Sequence, residues 1–210
     1  YGLWYVEGGM YNLARAYARL MDELGIVVRL GAEVTGIDSE GQRVTGVTLR
    51  DGSRLAADAV VSNMEVIPTY ERLLPEARSL LPSYRRRFEP AASGLVLHLG
   101  IKHDYPQLLH HNFFYSADAE EFCHTIHRRH ELPLDPHIYL VCPTKTEPEL
   151  APPGHSIIKA LPHIPCVQDP PFSRQDYEAL RDRVIDKLER MGLVGLRSHV
   201  VVQDMLVPED

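Results

Sequence analysis

The sequence predicts an α/β chain in two parts. A strand, helix, strand unit with a β-meander comes first, and an α+β part on an antiparallel or mixed sheet follows. Three observations carry this. A glycine pair, Gly8-Gly9, joins a short apolar stretch to a helical pattern with apolar residues at 10, 13, 14, 17, 20, 21 and 24. Two β-branched runs, within 26–30 and 54–63, read as buried parallel strands on either side of a meander. Beyond Met64, four separated apolar patterns are punctuated by Pro, Gly and Asp, as in an antiparallel sheet with one face in a core.

Taken in order, Leu3, Trp4, Tyr5 and Val6 read as a strand ending in the glycines. A helix over 11–24 stops at Gly25, and IVVRL (26–30) is a nearly all-apolar strand. The meander is AEVTGID (32–38), a Glu40-Gly41-Gln42 turn, RVTGVTL (43–49), an Asp51-Gly52 hairpin turn and RLAADAVVSN (54–63). In doubly wound sheets ligands bind beyond the carboxyl ends of the strands. Gly8-Gly9 and Ser62-Asn63 occupy such ends. Glycines there let backbone approach a nucleotide, and the following helix offers free N–H groups. The alternative is a tight strand-to-helix turn with no ligand.

The second part opens with VIPTYERLLPEARSLLPSYRRRFEP, helical in spacing but interrupted by Pro68, Pro75 and Pro82. Strand patterns follow at 93–101, 112–116, 137–144 and 156–164. A helix over 173–192 starts at a Ser173 cap, stops before Gly192, and places Tyr177, Leu180, Val184, Leu188 and Met191 on one stripe. A last strand covers 199–206. The expected division is 1–63, 64–192 and 193–210.

Composition excludes several classes. With 44% hydrophobic and 24% charged residues the chain is globular rather than disordered. A net charge of -7 excludes a general nucleic-acid binder, which needs a basic surface. Three cysteines without CxxC spacing read as reduced thiols of a cytoplasmic protein. No apolar run approaches the about 20 residues that span a bilayer. His124, His127 and His130 recur every third residue, and on a helix they cannot all converge on one ion, so no metal site is expected. LLPSYRRRF (80–88) sets three arginines beside apolar residues; it reads either as a peripheral membrane contact or as a solvated charge cluster. The chain starts without Met and inside a strand, so it reads as a fragment of a longer polypeptide.

Several stretches together resemble one family. LWYVEGGMYNLARAYARLMDELGIVVRLGAEVTGI, VVSNMEVIPTYERLLP, LVLHLGI, LLHHNFFYSADAEEF, LPLDPHIYLVCPTKTEPELAPPGHS and PFSRQDYEALRDRVIDKLERMGL are similar to the bacterial phytoene and diapophytoene desaturases, over essentially all 210 residues. The resemblance implies part of an FAD/NAD(P)-binding Rossmann-type domain plus a substrate-binding domain whose sheet walls a tunnel for a long hydrophobic polyene. Gly8, Gly9, Met10 and Asn63 would face the flavin, and the backbone of Val34 the adenine end of FAD. Trp4 and Tyr5 are either tunnel-lining aromatics or core, and His110 and His111 either face the substrate or hold structure by hydrogen bonds. The implied reaction is dehydrogenation of the polyene by hydride transfer to flavin. No general base is assigned, because the flavin carries the hard chemistry. No glycine-rich pyrophosphate fingerprint occurs, so this chain alone is expected to bind FAD weakly or not at all and to be inactive. A location at the inner face of the cell membrane and self-association through open sheet edges are also expected. Two other readings stay open: a flavin amine oxidase-like enzyme acting on a smaller molecule, and a non-catalytic prenyl-binding protein of the same superfamily.

Overall fold

A computed structural model of the chain describes residues 4–41 and 43–210. Leu3 of the expected first strand and Gln42 of the expected turn lie outside the described residues. The chain divides into two compact units, Tyr1–Glu89 and Pro90–Asp210.

In the first unit, helix α1 (Tyr11–Glu23) forms where its apolar spacing predicts. Gly25, at φ +68°, ends it by letting the Ile26 amide donate back to Met21 O at 2.8 Å. The stripe of Leu13, Tyr17 and Leu20 is exposed among the described residues. A three-stranded antiparallel meander follows in the order β1 (Val34–Glu40), β2 (Arg43–Leu49), β3 (Arg54–Ala56). The Asp51-Gly52 turn closes through Leu49 N to Ser53 O at 2.9 Å, and Asp51 Oδ1 accepts from Ser53 N. Gly46 is needed where β2 meets β3: a Cβ there would fall 2.2 Å from Leu55 O.

Two expectations are corrected here. Residues 26–30 form no ladder and are exposed, Val27 by 79%. The run 57–63 likewise leaves the meander after Ala56, with Val61 97% exposed. A parallel strand takes its hydrogen bonds and its apolar cover from neighbours. Apart from the Ala57 amide, which donates to Thr45 O of β2 at 3.1 Å, no described strand bonds to either run, and β-branched side chains alone do not make a ladder. Trp4 to Val6 are also outside any ladder.

The prolines partition the next segment. Helix α2 (Val66–Arg72), a 3-10 helix (Pro75–Leu80) and α3 (Leu81–Arg87) begin with proline in or near their first turns, where a missing N–H leaves no bond unmade. The Ile37 amide donates to Leu73 O at 2.8 Å and ties β1 to the end of α2.

The second unit is built on an antiparallel sheet in the order β6 (His111–Phe114), β7 (Ile138–Val141), β8 (Ser156–Ile164), β5 (Val96–Ile101), β9 (Val200–Leu206), with β4 (Ser93–Gly94) also on β8. Alternation sets its two faces. Leu97, Leu99, Ile138, Leu140, Ile158 and Ala160 are almost fully buried and form one core cluster with Tyr177, Leu180, Val184 and Leu188 of helix α5 (Arg174–Arg190). A capping box starts α5: Ser173 Oγ accepts from the Asp176 amide at 3.2 Å, and Asp176 Oδ2 accepts from the Ser173 amide at 2.9 Å. Buried Lys187 reaches across to donate to Tyr115 O, Asp135 Oδ1 and Pro136 O at 2.6–2.9 Å. Helix α4 (Ala119–His124) runs into a π turn (Thr125–Arg129), and α6 (Leu196–His199) leads into β9.

Candidate functional site

The face of the second sheet opposite α5 presents a row of aromatic and imidazole rings. His111 and Phe113 alternate with Asn112 and Phe114 along β6, and Phe114 turns to the core. Phe113 pairs with Tyr139 across the ladder, and His111 with Val141. The rings on this face lie nearly parallel. Tyr115 and Phe113 are inclined by 13° at 6.2 Å, Phe113 and Tyr139 by 20° at 4.9 Å, and Tyr139 and His111 by 21° at 5.9 Å. A hydrogen bond between Tyr139 Oη and His111 Nδ1, 2.7 Å, fixes one end of the row. Phe113 is 56% and Tyr115 63% exposed. Four ring faces in register thus form a flat aromatic shelf at the β6 edge.

The paired histidines separate in role. His111 belongs to the shelf, whereas the His110 ring is hydrogen-bonded to Thr146 Oγ1 at 2.6 Å, and its carbonyl accepts from the Cys142 amide. Burial, and then the neighbouring His111, push the His110 ring below the ordinary histidine range. A neutral ring at this position serves as a hydrogen-bonding group rather than a cation.

In the first unit, the Gly9 amide donates to Val6 O at 2.9 Å, which makes residues 6–9 a tight turn. Gly8 and Gly9 both take positive φ, +74° and +87°. A Cβ on Gly8 would lie 2.3 Å from Asn12 Nδ2, which donates to Glu7 O at 2.8 Å. A Cβ on Gly9 would meet nothing within 4 Å, so that stretch of backbone faces open space. Met10 and Trp4 are exposed, Trp4 by 88%, and Tyr5 is half-buried. Val34 is half-buried in β1, paired with Leu49. Asn63 is exposed beside Ser62, whose Oγ accepts from the Met64 amide and bonds Thr69 Oγ1 at 3.0 Å. A cleft of about 270 Å3 in this unit is lined by Glu40, Arg43, Val44, Thr45, Ala56, Ala57 and Asp58 and by none of these positions.

His124, His127 and His130 do not converge. His124 Nδ1 is bonded by Arg129 at 2.9 Å, while His130 closes the π turn at φ +55° with its Nδ1 3.9 Å from Cys166 Sγ. Among the described residues no group of three or more His, Cys, Asp or Glu is placed to hold a metal ion. Nor is any helix among them long and apolar enough to cross a membrane.

Phe113, Tyr115 and Tyr139 were not singled out from the sequence. Two-residue alternation in HNFFYS was the available signal, since it sets His111, Phe113 and Tyr115 on one side. The partnership with Tyr139 depends on register and is not written locally.

Comparison with known proteins places residues 1–198 within the model of one family, the flavin containing amine oxidoreductases. A 4,4'-diapolycopene oxygenase from Methylomonas sp is 53% identical over the whole chain. A 4,4'-diaponeurosporene oxygenase from Staphylococcus aureus (strain USA300) is 48% identical, also over the whole chain. The chain spans 42% of the length of each of these relatives. An oxidoreductase of known structure from Methanosarcina mazei superposes with a TM-score of 0.61 over 96% of this chain and 43% of its own, at 18% identity, and shows the same fold.

Proposed function

The chain belongs to the flavin containing amine oxidoreductase family, and from that premise we propose that the protein carrying it is an FAD-dependent oxidoreductase of long conjugated polyenes. The observation that carries this reading is the aromatic shelf. A polyene is a flat, rigid π-chain, and near-parallel rings offer it offset face contact along their row without any polar group. The names of the relatives at 48–53% identity agree with such a substrate. FAD, when bound, supplies an acceptor for hydride removed from the chain. This chain's own residues hold and orient. Phe113, Tyr115, Tyr139 and His111 carry the polyene, and His110 braces their strand through its bond to Thr146. Trp4 and Tyr5, in the first unit, are assigned to the substrate from the family resemblance. Gly8, Gly9, Met10, Val34 and Asn63 are assigned to the cofactor. What supports the flavin at the glycine turn is the open side of Gly9, where a flat ring can lie on bare peptide.

Two outcomes of the oxidation are open to such a site: a new double bond, or oxygen added at a chain end. The first follows from hydride removal; the second is favoured by the oxygenase names of both relatives. Leu80 to Phe88 is assigned to a peripheral membrane contact, from which a lipid-dissolved substrate would be drawn. Leu80 and Phe88 are exposed there, and Arg86 has no ion pair among the described residues.

The test is direct. The intact gene product is purified, its visible spectrum is read for flavin, and it is incubated with an acyclic polyene whose product is weighed by mass spectrometry. Loss of hydrogen identifies desaturation and gain of oxygen identifies oxygenation. Phe113→Ala weakens polyene binding about three- to tenfold, the worth of one aromatic contact. A colourless protein that cannot be reconstituted with FAD sinks the reading.

A further inference from the structure

Rows across the open face of the second sheet differ in chemistry. One row runs Phe113, Tyr139, Leu161, and another Ile157, Gly100, Val202, both apolar but for the Tyr139 hydroxyl, which is bonded to His111. Between them lies a third: His111, Val141, Lys159, His98, Asp204, each residue the cross-strand partner of the next. Its last three members are an ammonium, an imidazole and a carboxylate on three adjacent strands, β8, β5 and β9. Lys159 stands between Ile158 and Ala160, both fully buried, and His98 between Leu97 and Leu99, both 1% exposed. Alternation therefore sets Lys159 and His98 on the open face, where both are half-buried. Among the described residues none of the three side chains makes a hydrogen bond or an ion pair.

Polar groups that lose part of their water without gaining a partner are expensive. Two such groups side by side, Lys159 and His98, with the exposed Asp204 carboxylate next in the row, form a hydrogen-bonding strip about 10 Å long, two strand spacings, between apolar rows. We propose that this strip recognises an oxygen-bearing end of the polyene, its terminal oxygen accepting from Lys159 and His98 while the apolar rows and the shelf hold the hydrocarbon. Asp204 at the end of the strip makes it a site for a neutral carbonyl or hydroxyl end rather than for a carboxylate, which it repels. The strip is a specificity element and takes no part in electron transfer. It rests on the polyene reading above.

Binding separates the two. The intact protein, loaded with FAD, is titrated in detergent with a hydrocarbon polyene and with the same chain ending in an aldehyde. Wild type is expected to bind the aldehyde about tenfold more tightly, the worth of one hydrogen bond to a charged donor. Lys159→Met removes that preference and leaves hydrocarbon binding within about twofold; Lys159→Arg restores part of it. Equal affinity of wild type for both chains overturns the proposal while the polyene reading stands. Loss of both affinities together in Lys159→Met, with an unchanged thermal midpoint, also overturns it, because the residue then holds the sheet face and does not discriminate. Failure of wild type to bind either chain overturns the polyene reading and this proposal with it.

Discussion

Lys187 shows what one side chain does in this fold. Its position on α5 falls next to Leu188, and its ammonium bridges to two carbonyls and the Asp135 carboxylate while being almost fully buried. Lys187→Met strands those acceptors. The expected loss is about 2–3 kcal/mol of unfolding free energy, below that of a fully buried pair because Asp135 keeps part of its water. A urea midpoint measures it. Burial would raise the Asp135 carboxyl, but the Lys187 ammonium and the Ala117 amide outweigh it and hold the group below its usual range. A depressed carboxyl adds stability that is complete above its unfolded value, about 4, and is lost as pH falls through the folded one. Asp135→Asn should therefore flatten the acid limb below about pH 4. His137, which bonds Ser116 and stacks on Phe122, is depressed by burial and then by Lys187. Its neutral ring costs stability progressively as pH falls below about 6.5, so Lys187→Met should also shallow the slope just below neutrality.

Helix α5 is where local signals suffice. The Ser173 cap, the stripe of Tyr177, Leu180, Val184 and Leu188 and the Gly192 stop are all in the sequence and are realised, whereas Met191, expected to continue the stripe, is 49% exposed. Ser173→Ala should lower stability by about 1 kcal/mol, read as a fall in thermal midpoint with the helix still formed. A full loss of α5 signal by circular dichroism would refute the cap's modest role. The meander was equally legible, because Asp51-Gly52 fixes a hairpin from its own chemistry. Residues 26–30 and 57–63 were not, since a parallel strand is completed by partners remote in sequence and these runs carry only the propensity. The candidate site divides in the same way. His111 was visible as half of a histidine pair, and Gly8-Gly9 as a turn. The shelf with Tyr139, and the strip from Lys159 to Asp204, exist only once the register between strands is set.

At the scale of the whole molecule, the question is which surfaces this chain leaves for others to cover. The second sheet has two edges, β6 and β9, and they differ. β6 is four residues long, and the Asn112 side chain is occupied beside it, donating to Leu109 O at 2.7 Å. β9 is seven residues, β-branched at Val200, Val201 and Val202, and has neither the proline nor the lysine that keeps natural edges from pairing. An acidic chain of charge -7 resists close approach of copies in general, yet β9 contributes only Asp204 to that repulsion. We therefore expect the 210-residue chain to associate through β9. The association should be reversible and strengthened by salt, since screening weakens the repulsion and leaves the backbone hydrogen bonds. Val201 lies at the bulge between Gly100 and Ile101 and is exposed, so a lysine there is tolerated by the fold and blocks a neighbouring strand. Sedimentation velocity on wild type and Val201→Lys tests this. A concentration-dependent shift in wild type that the lysine abolishes is the expected result. A single monomeric boundary for wild type at high concentration and high salt removes β9 as an adhesive edge.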